Sequence, residues 1–379
     1  MMSGHFRFKM DQNLATGKGY AVATALSYES NMIVELMAVP DEEHDELWLK
    51  NALQQATMLE LATLPPYLCG LWSIDDSSRN SDVFTTIHEI VFDEMSHMGL
   101  VCNMLTTIGG IPRVADERLV PKYPGPLPGG VRPELSVSLT GLTKQSLDMY
   151  SQIEKPDDPV VEDREVHTSI GAFYTAILEA FRNHQNLISG TRQVTRRMSS
   201  HGKGNDVVAL RSFDDVEAAI KIIKEQGEGT AASPENPFPG HPGELAHFYS
   251  FREIFHGRKL IVVSKDPKKF DFQGAEIPMP RTFPMGTVPR GGWAEGGLPV
   301  SSEVRKLLDT FNDHYSSLLR FLEQAWQAEQ ASTAGQLLNK AVGEMRELQE
   351  PAQQLMQIPL PDGSGKTYGP EFRYVEAQT

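Results

Sequence analysis

The strongest constraint on this chain is that acidic residues and histidines stand where helical periodicity calls for apolar ones. Between residues 41 and 72 the series Leu49, Leu53, Ala56, Glu60, Leu64, Tyr67 and Leu71 advances by three or four, so it occupies one face of a helix, and Glu60 interrupts an otherwise apolar seam. A second pattern predicts a helix over residues 82–108, stopped by Gly109-Gly110 and Pro112, with Ile87, Ile90, Glu94, His97, Val101 and Leu105 inward. An ionised carboxylate buried without a partner costs several kcal/mol. A core that accepts these groups must neutralise them together.

Glu94-Met95-Ser96-His97 has the form Glu-x-x-His, and Glu244-Leu245-Ala246-His247 repeats it. A three-residue step on a helix sets carboxylate and imidazole side by side. Glu60 precedes Glu94 by 34 residues, an interval that brings two inward residues to one level in antiparallel helices joined by a short loop. One Glu from each of two helices and one Glu-x-x-His from each of two more is the ligand plan of ferritin-like di-iron and di-manganese proteins. The expected fold is therefore mainly α: a ferritin-like four-helix bundle with long loop insertions and a C-terminal helical extension.

The expected metal ligands are Glu60, Glu94, His97, Glu244 and His247, with one more carboxylate. Glu225 lies on the apolar line Ala218, Ile222, Glu225; Glu228 could turn inward at the helix end Gly227-Glu228-Gly229; Glu179 belongs to a helix predicted over 166–189. Spacing leaves these three open. On that last helix Ile170, Phe173, Tyr174, Ile177 and Phe181 face inward, and Tyr174 and Asp93 are the candidates to orient the ligands or handle protons. Carboxylates with two imidazoles suit iron, one or two ions, with manganese as the alternative; structural zinc would want cysteines that the distant Cys69 and Cys102 do not provide. Pro65 and Pro66 should kink or end the first helix, because neither has an amide to donate.

The rest of the chain excludes more than it assigns. Its 379 residues allow a large core, and the formal charge of −15 opposes a nucleic acid or an anionic membrane surface as partner. The most apolar stretch, 61–74, is too short to span a bilayer, and the start carries no secretory pattern, so a cytoplasmic protein is expected. No Gly-x-Gly-x-x-Gly follows a strand, no Walker motif is present, and no Gly-x-Ser-x-Gly elbow occurs. The expected division is an N-terminal segment 1–44, a metal-binding bundle 45–258 and a C-terminal extension 259–379 packed on it. The first forty residues read as irregular or partly stranded, 112–165 as a structured Pro/Gly-rich excursion, Lys259-Leu-Ile-Val-Val-Ser-Lys265 as stranded and 302–348 as one long helical pattern.

Several blocks also occur together in a recognisable order. Glu60-Leu-Ala-Thr-Leu-Pro-Pro-Tyr67, Phe92-Asp-Glu-Met-Ser-His-Met98, Ile170-Gly-Ala-Phe-Tyr174, Glu225-Gln-Gly-Glu-Gly229 and Glu244-Leu-Ala-His-Phe-Tyr249 resemble the ferritin-like domain family that includes the iminophenyl-pyruvate dimer synthases of violacein-type bisindole biosynthesis. Phe311-Asn-Asp-His-Tyr-Ser316 and Gly369-Pro-Glu-Phe372 are similar to its C-terminal signature. The resemblance implies a bundle with added elements, an iron site that keeps both Glu225 and Glu228, and oxidative chemistry on a small aromatic or amino-acid-derived molecule. Three alternatives stand beside it: metal-organised coupling of an imino acid without oxygen consumption, iron storage by a ferritin-like protein, and a metal-free structural relic whose buried charges pair with arginines. A small-molecule substrate is the expected partner, and a homo-oligomer is compatible with the sequence.

Overall fold

The computed structural model describes residues 27–156, 169–198, 205–227, 233–235 and 243–377. Two long helices form its spine, α2 (Glu46–Trp72) and α3 (Asp82–Thr107), after a short α1 (Met32–Met37). Each long helix starts where a side chain replaces a missing amide acceptor: Asp45 accepts from the Trp48 amide and Ser81 from the Phe84 amide. Glu60 meets His97 and Thr63 meets Glu94, so numbering rises along one helix as it falls along the other. The pair is antiparallel, and the 34-residue interval does bring its carboxylates together.

Around this spine lie α4 (Lys144–Ile153), α5 (Ile170–Asn183), α6 (Phe213–Gly227) and α7 (His247–His256). Helix α4 opens on a reciprocal cap between Thr143 and Ser146 and packs on α7, while α5 packs on α6. Next comes a hairpin of β1 (Ile261–Lys265) and β2 (Lys268–Asp271). The chain then returns in α8 (Ser302–Gln327), α9 (Ala331–Glu347) and α10 (Gln349–Leu355). These C-terminal helices cover the far side of α2 and α3: the Trp326 indole donates to Asn103, and Phe372 stacks parallel to Trp72.

That cover explains why α2 is buried nearly all round from Trp48 to Trp72 rather than along one stripe. Glu60, Thr63 and Tyr67 face α4 and α5, whereas Leu61, Leu64 and Leu68 face a cavity of about 510 Å³ beneath α8 and α9. Among the described residues no helix is long and apolar enough to cross a membrane.

Three local expectations are corrected. Met32–Met37 is helical rather than irregular or stranded, because Met32, Ile33 and Leu36 bury against the 128–130 turn, where Gly129 holds φ 74° and an added Cβ would stand 2.3 Å from Ile33. The pattern over 302–348 is two helices, α8 and α9, folded onto each other through an extended Ala328. No Gly or Pro marks that break, so it is packing between the two halves that decides it.

The third correction concerns Pro65 and Pro66: of a kink or an end, the end is overturned, because α2 runs on through both to Trp72. Proline at 66 frees the carbonyl of Ala62, four residues back, and the Tyr123 hydroxyl donates to that oxygen at 2.8 Å. Tyr150 donates to the Pro66 carbonyl at 2.7 Å from α4. The Tyr123 phenol thus supplies a donor the helix lacks, while Tyr150 adds a second donor to a carbonyl that the Gly70 amide also faces. Tyr123→Phe is expected to lower stability by about 1–3 kcal/mol, the cost of an orphaned buried acceptor, while metal content stays unchanged; a melt identical to the parent would show that Ala62 is satisfied otherwise.

Candidate metal centre

Six helical elements converge on one buried cluster. Glu60 comes from α2, Glu94 and His97 from α3, Glu154 from the residue that ends α4, Tyr174 from α5, Gln226 from α6 and His247 from the first position of α7. All are buried, with His97 1% and Glu94 2% exposed. Two groups emerge whose ligand atoms all lie within 4.8 Å of one another: Glu60, Glu94 and His97, and Glu94, Glu154 and His247. Glu94 belongs to both.

The two halves are built alike. His97 Nδ1 lies 3.4 Å from Glu94 Oε1 and 3.8 Å from Glu60 Oε2; His247 Nδ1 lies 2.9 Å from Glu94 Oε1 and 4.0 Å from Glu154 Oε2. In each half a phenol holds the other oxygen of the outer carboxylate, Tyr174 on Glu60 Oε1 and Tyr67 on Glu154 Oε1. In each half the far imidazole nitrogen meets an acceptor, His97 Nε2 with Gln226 Oε1 at 2.8 Å and His247 Nε2 with Asp93 Oδ2 at 3.3 Å. A proton on Nε2 leaves Nδ1 as the lone pair facing inward, the tautomer that ligates metal. Thr63 donates to the second oxygen of Glu94 at 2.8 Å.

The electrostatics show what such a cluster lacks. Burial and the neighbouring Glu94 charge push Glu60 up to about 8, and the same two causes push Glu154 up to about 7. Burial would also raise Glu94, yet its contacts with His247 and His97 hold it below the usual carboxylate range. His97, which burial alone would lower, is carried up to about 9 by Glu94 and Glu60. His247 is likewise raised against burial, by Asp93 and Glu94. Three carboxylates crowd together with two imidazolium protons between them. His247 Nδ1, although close to Glu94, is a buried atom without hydrogen-bond geometry, and Asp93 Oδ1 is likewise unpartnered. An oxygen and nitrogen donor set of this kind fits a divalent cation, which would replace those protons.

The structure sorts the residues expected to form the site. Glu60, Glu94, His97 and His247 come together, and Asp93 and Tyr174 touch two of them. Glu244 does not join: α7 begins at His247, so the second Glu-x-x-His is not a helical step, and half-buried Glu244 lies outside both groups, in an open depression beside Asp93. Glu225 also stays outside, 3.9 Å from Lys221, because the buried line of α6 runs Val216, Ala219, Ile220, Ile223 and Gln226, one residue away from the line read in the sequence. Glu179 is exposed and paired with Arg182 at 2.5 Å. Glu228 lies outside the described residues.

The carboxylate that completes the cluster is Glu154, which the sequence reading missed inside the 112–165 excursion. Its signal was the helical step Leu147, Tyr150, Glu154 behind the Thr143 cap. Tyr67 was missed as a partner because a tyrosine on an inward line reads as ordinary core, and Gln226 because the inward line of α6 was read one residue away from it.

Residues 53–256 match the family Ferritin-like, more than half of the chain, and the chain belongs to that family. Among solved structures it is similar to a ferritin-like protein from Caulobacter vibrioides, with 21% sequence identity, a TM-score of 0.55, and 86% of this chain and 97% of that one covered. That likeness concerns the fold. No curated protein matches the chain.

The titrations set the pH dependence of the metal-free protein. Glu60, Glu154 and His97 each titrate higher in the folded chain than their ordinary values of 4.5, 4.5 and 6.5, so between these and about 9 the folded state holds more protons than the unfolded one. Their stabilisation is present at the low end and is lost as pH rises; Glu94 acts oppositely, losing its share only as pH falls below 4.5. The melting temperature of chelator-treated protein should therefore fall from about pH 6 to about pH 9, and a bound divalent cation should remove most of that fall. A metal-free melt that rises across this window would contradict the assignment of the buried protons.

Proposed function

We propose that the chain is an iron-dependent oxidase or oxygenase acting on a small aromatic or amino-acid-derived metabolite, in the manner of the iminophenyl-pyruvate dimer synthases its motifs resemble. The observation that carries this reading is a buried pair of carboxylate and imidazole triads joined through Glu94. Glu60, Glu94 and His97 would hold one ion and Glu94, Glu154 and His247 the other, with manganese as the alternative metal. When bound, iron supplies the electrons that reduce dioxygen.

The chain's own residues do the remaining work. Burial and the adjacent carboxylates raise the Tyr67 and Tyr174 phenols well above the usual range, so both stay protonated and donate to Glu154 and Glu60. Each outer carboxylate then keeps one oxygen free toward the centre. Asp93 orients His247 through Nε2 and has a second, unpartnered oxygen that can accept a proton from a molecule arriving beside it. It stands at the floor of an open depression of about 400 Å³ that also includes Glu89, Glu244, His247 and Lys259. Charges of both signs suit an amino-acid-derived substrate. A smaller space of about 40 Å³ lies against the cluster itself, between Glu60, Glu94, His97, Glu154 and Tyr174 on one side and Leu127, Ile153 and Ile223 on the other. It has room for a small ligand such as water beside the carboxylates, not for a substrate.

Elemental mass spectrometry of protein loaded anaerobically with ferrous iron tests the ligand set. About two ions per chain are expected; Glu94→Ala should lose both, His97→Ala and Glu154→Ala about one each, and Glu244→Ala and Glu225→Ala none. Metal retained in folded Glu94→Ala would remove the centre. Oxygen consumption with imines of aromatic amino acids then separates the enzymatic readings: turnover without oxygen uptake favours imine coupling. Iron uptake far above two ions in a cage-sized assembly favours storage.

A further inference from the structure

The cavity of about 510 Å³ between the bundle and its C-terminal helices is not part of the metal centre. It occupies the opposite face of the same two helices: on α2 Leu61, Leu64 and Leu68 alternate with Glu60, Thr63 and Tyr67, and on α3 Val91, Met95 and Met98 alternate with Glu94 and His97. One layer of helix therefore separates the two spaces. Its volume is that of a pocket for a drug-sized molecule, and its wall is aliphatic, aromatic and methionine-rich, a lining that adapts to an apolar body.

Its charged residues carry the argument. In a chain with 50 acidic and 35 basic residues, the lining includes Arg79, Arg196 and Arg346 and, among the described residues, no carboxylate. Arg79 donates to Gln353 at 3.0 Å and pairs with Asp76 at 2.6 Å, while its buried Nε has no hydrogen-bond partner. Gln349 donates to Gln353 at 3.5 Å, and the exposed Arg346, also in the lining, stands three residues before Gln349, a spacing that puts it one helical turn from this end of the cavity. Arg196 binds Asn339, seven residues before Arg346 and thus about 10 Å back along α9. From the Arg79 end the apolar wall continues past Trp72 and Met345 toward Met98 and Val207.

We propose that this cavity is a second binding site, for an apolar carboxylic acid whose head meets Arg79 and Arg346 and whose chain lies between α2, α3, α8 and α9. Guanidinium forks favour carboxylate over any neutral or cationic head. The proposal rests on the cavity alone and stands whether or not the cluster across the helices binds iron.

Trp72 and Trp326 line the cavity, so their fluorescence reports on its contents. The purified full-length protein would be titrated with dodecanoate, methyl dodecanoate and dodecyltrimethylammonium, all below micelle formation, with calorimetry for stoichiometry. Saturable binding of about one dodecanoate per chain is expected, at least about tenfold tighter than either of the other two. Arg346→Glu, at an exposed position, should weaken it about tenfold or more, and Met345→Trp should abolish it by filling the wall. No saturable binding, equal affinity for the ammonium compound, or dodecanoate binding unchanged by Arg346→Glu would overturn the proposal. Should Met345→Trp fail to fold, the head-group comparison and Arg346→Glu still decide it.

Discussion

Everything near the centre of this protein depends on how it tolerates the Glu94 carboxylate. The group is almost fully buried, and two imidazoles, a threonine hydroxyl and two further glutamates are arranged around it. Removing such a charge from water is costly, and it is accepted here only because every neighbour either carries a compensating proton or presents a lone pair to a cation. The outer parts follow from this demand. Tyr67 and Tyr174 fasten the glutamates, Gln226 and Asp93 fasten the histidines, and each of those four comes from a helix that must be correctly seated to deliver it.

The seating itself relies on contacts distant in sequence. Helix α2 passes through two consecutive prolines at the level of the centre, and phenols from residues 123 and 150 reach its backbone there. The same α4 that presents Tyr150 to α2 ends at Glu154, so the segment that braces the helix also supplies a carboxylate to the cluster. Fold and site are thus coupled through one short helix inside what reads as an irregular stretch.

On the far face of α2 and α3 the problem is the reverse. There the helices present apolar side chains, and α8, α9 and α10 shield them without filling the space between. Among the described residues the wall of that cavity carries arginines and no carboxylate, Asp76 reaching only the guanidinium of Arg79 at its rim. Two chemically opposite sites, one polar and closed, one apolar and rimmed by cations, therefore share a single pair of helices, offset by one residue along each.

Local periodicity was enough to determine the mainly helical class, the antiparallel pairing of the two spine helices and the meeting of Glu60 with Glu94 and His97, because a helix repeats every 3.6 residues and a short loop preserves level. Periodicity placed Tyr174 on an inward line, and the second Glu-x-x-His block drew attention to His247, although its helical step does not form. It failed where an element's phase or extent is set by contacts far away in the chain. Gln226 rather than Glu225 faces inward because α6 rotates to pack against α5 and α3. Glu244 is excluded because α7 begins three residues after it. Glu154 enters because α4 ends against α2: its helical step is visible locally, but where that step leads is not. Which glutamates belong to the centre was a question of three-dimensional convergence, and only packing could decide it.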